Sequence, residues 1–70
     1  MDKASTDVIA NADENAHKKP NIRTLSEEFA EAILAERGKH EHPLRLELVQ
    51  IAGVCINMIR QIDNGEEFKR

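Results

Sequence analysis

The chain has one cysteine, two prolines, two phenylalanines and neither tryptophan nor tyrosine among its 70 residues. A single cysteine excludes an intrachain disulfide framework, and Cys55 lies in an apolar run rather than beside other ligand types. Aromatics at 3% leave few side chains able to stack a base or fill a wide core. No stretch approaches the ~18 apolar residues that span a bilayer. The opening MDKASTDVIANADENAHKK also lacks a signal-peptide hydrophobic region, which points to a soluble, cytoplasmic chain with no membrane partner. Basic excess is missing too: 10 Lys and Arg stand against 13 Asp and Glu, so a binder of nucleic-acid phosphates is not expected. A chain this short buries only ~60% of its unfolded surface, which allows one domain and a small core.

What is present is helical patterning in three segments. Residues 1–23 are polar, with Val8 and Ile9 the one large apolar pair before Ile22. They are expected to form a short helix from about Ser5 to Ala16, capped by Ser5 or Thr6 and closed before Pro20, or else a frayed tail. In residues 24–37, Leu25, Phe29, Ala32 and Ile33 make one apolar face at helical spacing. Thr24 with Glu27 fits a capping box and Gly38 fits the C′ position. The connector GKHEHP has a length that joins antiparallel helices, and Pro43 suits the start of a third helix that ends near Asn64-Gly65.

Within that third helix Leu44, Leu48, Ile51, Cys55, Met58 and Ile62 follow a 4-3-4-3-4 spacing, an a/d-type seam. A second stripe, Leu46, Val49, Gly53 and Ile56, lies on another side. One partner helix cannot cover both, so either the N-terminal segment folds over one or a second copy of the chain does. The small core favours self-association. Gly53, costly in a helix, reads as a point of close helix approach. The fold class expected is all-α: an antiparallel helical hairpin over 24–65 with a short N-terminal helix or tail and a tail at 66–70. It would assemble into a helical-bundle homodimer or higher oligomer.

The chemistry-bearing feature is a set of carboxylates. Glu28 and Glu31 are three apart and Glu27 and Glu31 four apart, so they share a helical flank. Glu47 and Gln50 are three apart on the edge of the next helix. An antiparallel pairing brings three carboxylates and an amide together, where mutual repulsion raises their resistance to ionisation. A hard cation, Mg²⁺ or Mn²⁺, relieves that repulsion with oxygen ligands. The bland alternative is a solvated acidic face.

These residues resemble a known family. SEEFAEA followed by RLELVQIAGVCINMIRQID looks like the MazG-like, all-α nucleoside triphosphate pyrophosphohydrolases, whose mark is E-E-x-x-E on one helix and E-x-x-D on the next. The resemblance covers residues 24–63 and is similar to small phage-type members, implying the cytoplasm of a bacterial or phage-infected host cell. It implies a homo-oligomer that splits a (deoxy)nucleoside triphosphate into monophosphate and pyrophosphate. Glu28, Glu31 and Glu47 would hold Mg²⁺, Glu27 would complete the catalytic motif, and Gln50 stands at the Asp position. Mg²⁺ would polarise the phosphates and help generate the attacking hydroxide. Gln50 removes one negative charge, though its carbonyl can still coordinate, and no Trp-containing base-binding region is present. A non-catalytic member of the scaffold that binds a protein partner or sequesters a nucleotide is the alternative.

Other candidates are less specific. Lys18, Lys19 and Arg23 precede the acidic helix and can meet phosphates. His40 and His42 flank Glu41 as an H-x-H pair able to ligate a transition metal, but in a polar connector they read first as a surface loop. His17 reads the same way. Arg37, Lys39 and Arg45 cluster near the turn without a specific pattern. Phe29 is expected in the core, leaving Phe68 to stack a base, and Cys55 is expected as a buried small hydrophobe.

Overall fold

The computed structural model describes residues 2–65, which form three α-helices and no strand. Helix α1, Lys3–Asn15, starts two residues before the expected Ser5 because Asp2 is its cap. The Ser5 backbone N–H donates to the Asp2 carboxylate at 2.7 Å, which holds that carboxyl below its usual range. A 3₁₀ turn, Ala16–Lys18, follows, and Lys19 turns the chain at φ 45° into Pro20.

Helix α2, Ile22–Glu36, also starts earlier than the sequence reading placed it. Its capping box is Asn21 with Thr24, not Thr24 with Glu27. The Thr24 N–H donates to Asn21 Oδ1 at 3.1 Å, and the Asn21 N–H donates to Thr24 Oγ1 at 3.3 Å. Pro20 restricts the approach, and Asn21 in extended geometry is a stronger N-cap than threonine. The helix ends as expected at Gly38, φ 69°, in a Schellman arrangement: the Lys39 N–H donates to Leu34 O at 2.8 Å and the Gly38 N–H to Ala35 O at 3.0 Å. Helix α3, Leu44–Asp63, follows Pro43 and stops at Asn64, with Gly65 at φ 78°.

Helix α3 is the middle of the molecule. Both α1 and α2 pack on it, and they scarcely touch each other. The result is a slab of 38 × 32 × 14 Å, one layer of helices thick. The N-terminal segment is therefore a helix and not a frayed tail, and it, rather than a second copy of the chain, covers the stripe through Gly53. A Cβ at Gly53 would collide with the Asn11 side chain and lie 3.4 Å from the Ala12 backbone nitrogen. Two exposed ion pairs flank this crossing: Arg45 Nη1 to Asp7 Oδ2 at 2.9 Å, and Arg60 Nη1 to Asp13 Oδ1 at 2.8 Å. Each adds at most ~1 kcal/mol, so the glycine contact sets the geometry and the pairs set its register.

The heptad seam does not form the core. Leu48 is 52% exposed and Ile62 is also exposed, while Cys55 is only half-buried. Two flanking helices bury an arc of α3 that takes Val49 and Gly53 from the second stripe, Met58 from the seam, and the polar Glu47, Asn57 and Gln61. Phe29, expected inside, is 60% exposed. Ala12, Ala32, Val49 and Met58 are the buried apolar residues among those described, a very small core. Gln61 extends it with a polar tie, donating through Nε2 to Pro20 O at 2.9 Å. No helix among the described residues is long and apolar enough to cross a membrane.

Candidate metal centre and adjoining cleft

Three of the predicted ligands meet. Carboxylate oxygens of Glu28, Glu31 and Glu47 all lie within 4.8 Å of one another. Glu28 and Glu31 occupy adjacent turns of α2, and Glu47 comes from the first turns of α3, where the helix dipole favours an acid. The pairing order explains the convergence: Pro20 meets Gln61, Glu28 meets Gln50, and Glu31 comes to Glu47.

Glu47 has no exposed surface, and a buried carboxylate without compensation costs several kcal/mol. Its Oε2 faces Gln50. With the amide oriented to donate, as the surrounding acceptors require, Gln50 Nε2 lies 3.3 Å from Glu47 Oε2 and 3.0 Å from Glu28 Oε2. Gln50 thus bridges two carboxylates through its nitrogen; to ligate a cation it would turn its oxygen inward. Partial burial pushes the Glu28 carboxyl up, and so do the charge of Glu31, a hydrogen bond with Glu31, and the charges of Glu47 and Glu27. Such a group is held against its own ionisation. That is the electrostatic condition a divalent cation reverses, and the oxygen donor set fits Mg²⁺ or Mn²⁺.

Other predicted residues sit apart from this cluster. Glu27 is exposed and pairs with Arg23 at 3.7 Å, so neither points to the carboxylate group. Lys19 is an exposed residue of the turn. Lys18 alone of the three predicted cations borders the cleft that adjoins the cluster.

That cleft, of about 310 Å³, was not expected from the sequence. Its floor is the strip Gln50, Val54 and Asn57 of α3, spaced four and three apart. One wall is Asn11 and Asn15 of α1, the other Thr24 and Glu28 of α2, with Lys18 and Pro20 closing one end. Beside a single partner helix Asn57 would face solvent and Gln50, expected at the edge of the seam, would sit at its rim. They become a groove floor once α1 and α2 rise on either side. Glu28 and Gln50 belong to both the cleft and the carboxylate cluster, so the two are continuous.

Sequence reasoning also set aside His40 and His42 as loop residues. His40 Nε2 is 3.2 Å and His42 Nδ1 is 3.3 Å from Glu47 Oε1, with the His40 side chain only 19% exposed. The signal was His42 lying five residues before Glu47, with Pro43 between them forcing the chain to fold back over the first turn of α3. No family model, no curated protein and no solved structure matches the chain.

Proposed function

We propose that this chain is a Mg²⁺- or Mn²⁺-dependent nucleoside triphosphate pyrophosphohydrolase of MazG-like type. The supporting observation is the meeting of Glu28, Glu31 and Glu47 from two helices at the mouth of an amide-lined cleft. Glu28, Glu31 and Glu47 hold the cation, and a bound Mg²⁺ supplies neutralisation and polarisation of phosphoryl oxygens. The residues of the cleft do the rest. Lys18 meets a phosphate as a point charge, and Asn11, Asn15 and Asn57 present donors and acceptors to a base edge or sugar. Among the described residues no aromatic lines the cleft, so its described lining recognises by hydrogen bonding; Phe68, expected to stack a base, lies with the 66–70 tail outside the described residues. Antiparallel pairing of α2 and α3 agrees with the order of their contacts, and a second copy of the chain is the proposed cover for the exposed apolar residues Ile22, Phe29, Leu48 and Ile59.

The test is release of pyrophosphate and monophosphate from the common ribo- and deoxyribonucleoside triphosphates with Mg²⁺ or Mn²⁺, lost on Glu31→Gln. Folded protein that releases no pyrophosphate from any of them refutes the enzymatic reading. One observation favours the alternative of a non-catalytic nucleotide-sequestering or partner-binding chain: Gln50 satisfies Glu28 and Glu47 by hydrogen bonding where a charge-neutralising ion would otherwise be needed. Gln50→Asp separates the two. On the enzymatic reading it raises Mg²⁺ affinity and turnover; on the alternative it only destabilises the fold.

A further inference from the structure

We propose that His40, His42 and Glu47 form a second cation site, for a borderline divalent transition metal of the Zn²⁺ class. Glu47 Oε1 is the shared vertex, 3.2 Å from His40 Nε2 and 3.3 Å from His42 Nδ1. Bonds of ~2.0–2.1 Å at tetrahedral angles separate neighbouring ligand atoms by ~3.3 Å, so both spacings equal the edge of a zinc tetrahedron.

A hydrogen-bonded pair of histidines has the same distances, and the two are told apart at His40. His40 Nε2 is fully buried and faces Glu47 Oε1, yet its alignment makes no hydrogen bond, and it has no other hydrogen-bond partner among the described residues. A buried nitrogen left this way costs free energy that a cation between the three donors recovers. The imidazoles stand edge to face, centroids 5.3 Å apart and planes at 80°, so two rings approach one point without clashing. Gln50 meets Glu47 on Oε2, which leaves Oε1 to the histidines.

The donor set distinguishes this site from the carboxylate cluster. Two imidazoles and one carboxylate suit Zn²⁺, Cu²⁺ or Ni²⁺ and disfavour Mg²⁺, whereas the all-oxygen group has the opposite preference. Three protein ligands leave a fourth position open to water or an anionic oxygen. Because Glu47 belongs to both groups, its carboxylate joins the two sites. Zn²⁺ binding at His40, His42 and Glu47 does not require nucleotide hydrolysis.

Calorimetric titration of the wild-type chain with Zn²⁺ in excess Mg²⁺ tests it. One equivalent should bind; His40→Ala and His42→Ala should each weaken binding by ~10-fold or more, and His17→Ala should leave it unchanged. Circular dichroism establishes that each variant keeps its helices, and histidine side-chain NMR of the wild-type chain gives an answer that needs no variant. Zn²⁺ should move the imidazole resonances of His40 and His42 and leave those of His17. Binding displaced by Mg²⁺, a smaller loss in either variant, or resonances of His40 and His42 that do not respond would overturn the proposal. Pyrophosphate release with Mg²⁺ is a separate readout, so failure of one leaves the other standing.

Discussion

At the scale of single residues, the carboxylate cluster acts against the fold that creates it. Glu28 has a raised folded-state pKa, caused first by burial and then by Glu31. A carboxyl raised in this way contributes its full stability below its ordinary value near 4.5, where both folded and unfolded chains hold the proton. That contribution is lost as pH rises through the higher folded value, because the folded chain must then ionise Glu28 among other acids. At neutral pH the charge is a cost. Glu28→Gln should therefore raise the melting temperature of chelator-treated protein at pH 7, and the advantage should vanish near pH 4. Mg²⁺ should raise the melting temperature of the wild type and leave the variant much less affected. Thermal unfolding across pH, with and without Mg²⁺, reads all three outcomes; a variant less stable than the wild type at pH 7 would show that Glu28 is held by favourable contacts instead.

At the scale of elements, the contact of α1 with α3 through Gly53 is the most exposed to test. Alanine at 53 gains ~1 kcal/mol of helix propensity but drives its methyl into the Asn11 side chain, and overpacking of that kind costs ~1–3 kcal/mol. Gly53→Ala alone should destabilise by ~1 kcal/mol. In an Asn11→Ala background the Ala12 nitrogen at 3.4 Å is an ordinary contact, so the same change should stabilise by up to ~1 kcal/mol. Urea denaturation of the four proteins of this cycle should give a coupling of ~1 kcal/mol or more; additive effects would mean that α1 does not cross at Gly53. This crossing was half-legible in the sequence. Gly53 announced a close approach, and Gly38, Pro43 and Gly65 marked element ends, because backbone conformation is a local property. Glu28, Glu31 and Glu47 were legible for the same reason, through helical spacing. The misreadings came from counting partners. An a/d seam presumes one neighbour, whereas α3 has two, and the arc between them contains Gln50, Asn57 and Gln61, residue types that local pattern assigns to solvent. The cleft depends on tertiary approach, which spacing along the chain does not encode, whereas the histidines on Glu47 left a local trace in the five-residue separation of His42 and Glu47.

At the scale of the whole molecule, a single layer of helices has two open sides, and helical phase makes them unlike. Gln50 and Ile59 are nine residues apart on α3, two and a half turns, and therefore face opposite ways; Thr24 and Ile33 stand in the same relation on α2. Gln50 and Thr24 line the cleft. Leu48 and Ile59 of α3, with Ile22, Phe29 and Ile33 of α2, consequently lie toward the reverse side, where all five are exposed. Few buried apolar residues and an apolar back are the expected signature of a chain whose core is completed by association. A second copy joined back to back would cover Phe29 and leave both clefts accessible. Sedimentation equilibrium should therefore find a dimer or higher oligomer, with a melting temperature that rises with protein concentration. Phe29→Glu should shift the chain toward monomer and remove that concentration dependence, since it forfeits the ~1.5–3 kcal/mol of burying each ring and places a charge at the contact. A wild-type chain that sediments as a monomer, with a melting temperature independent of concentration, would mean that this back face is left to solvent and that Ala12, Ala32, Val49, Met58 and the Gln61 tie suffice to hold three helices together.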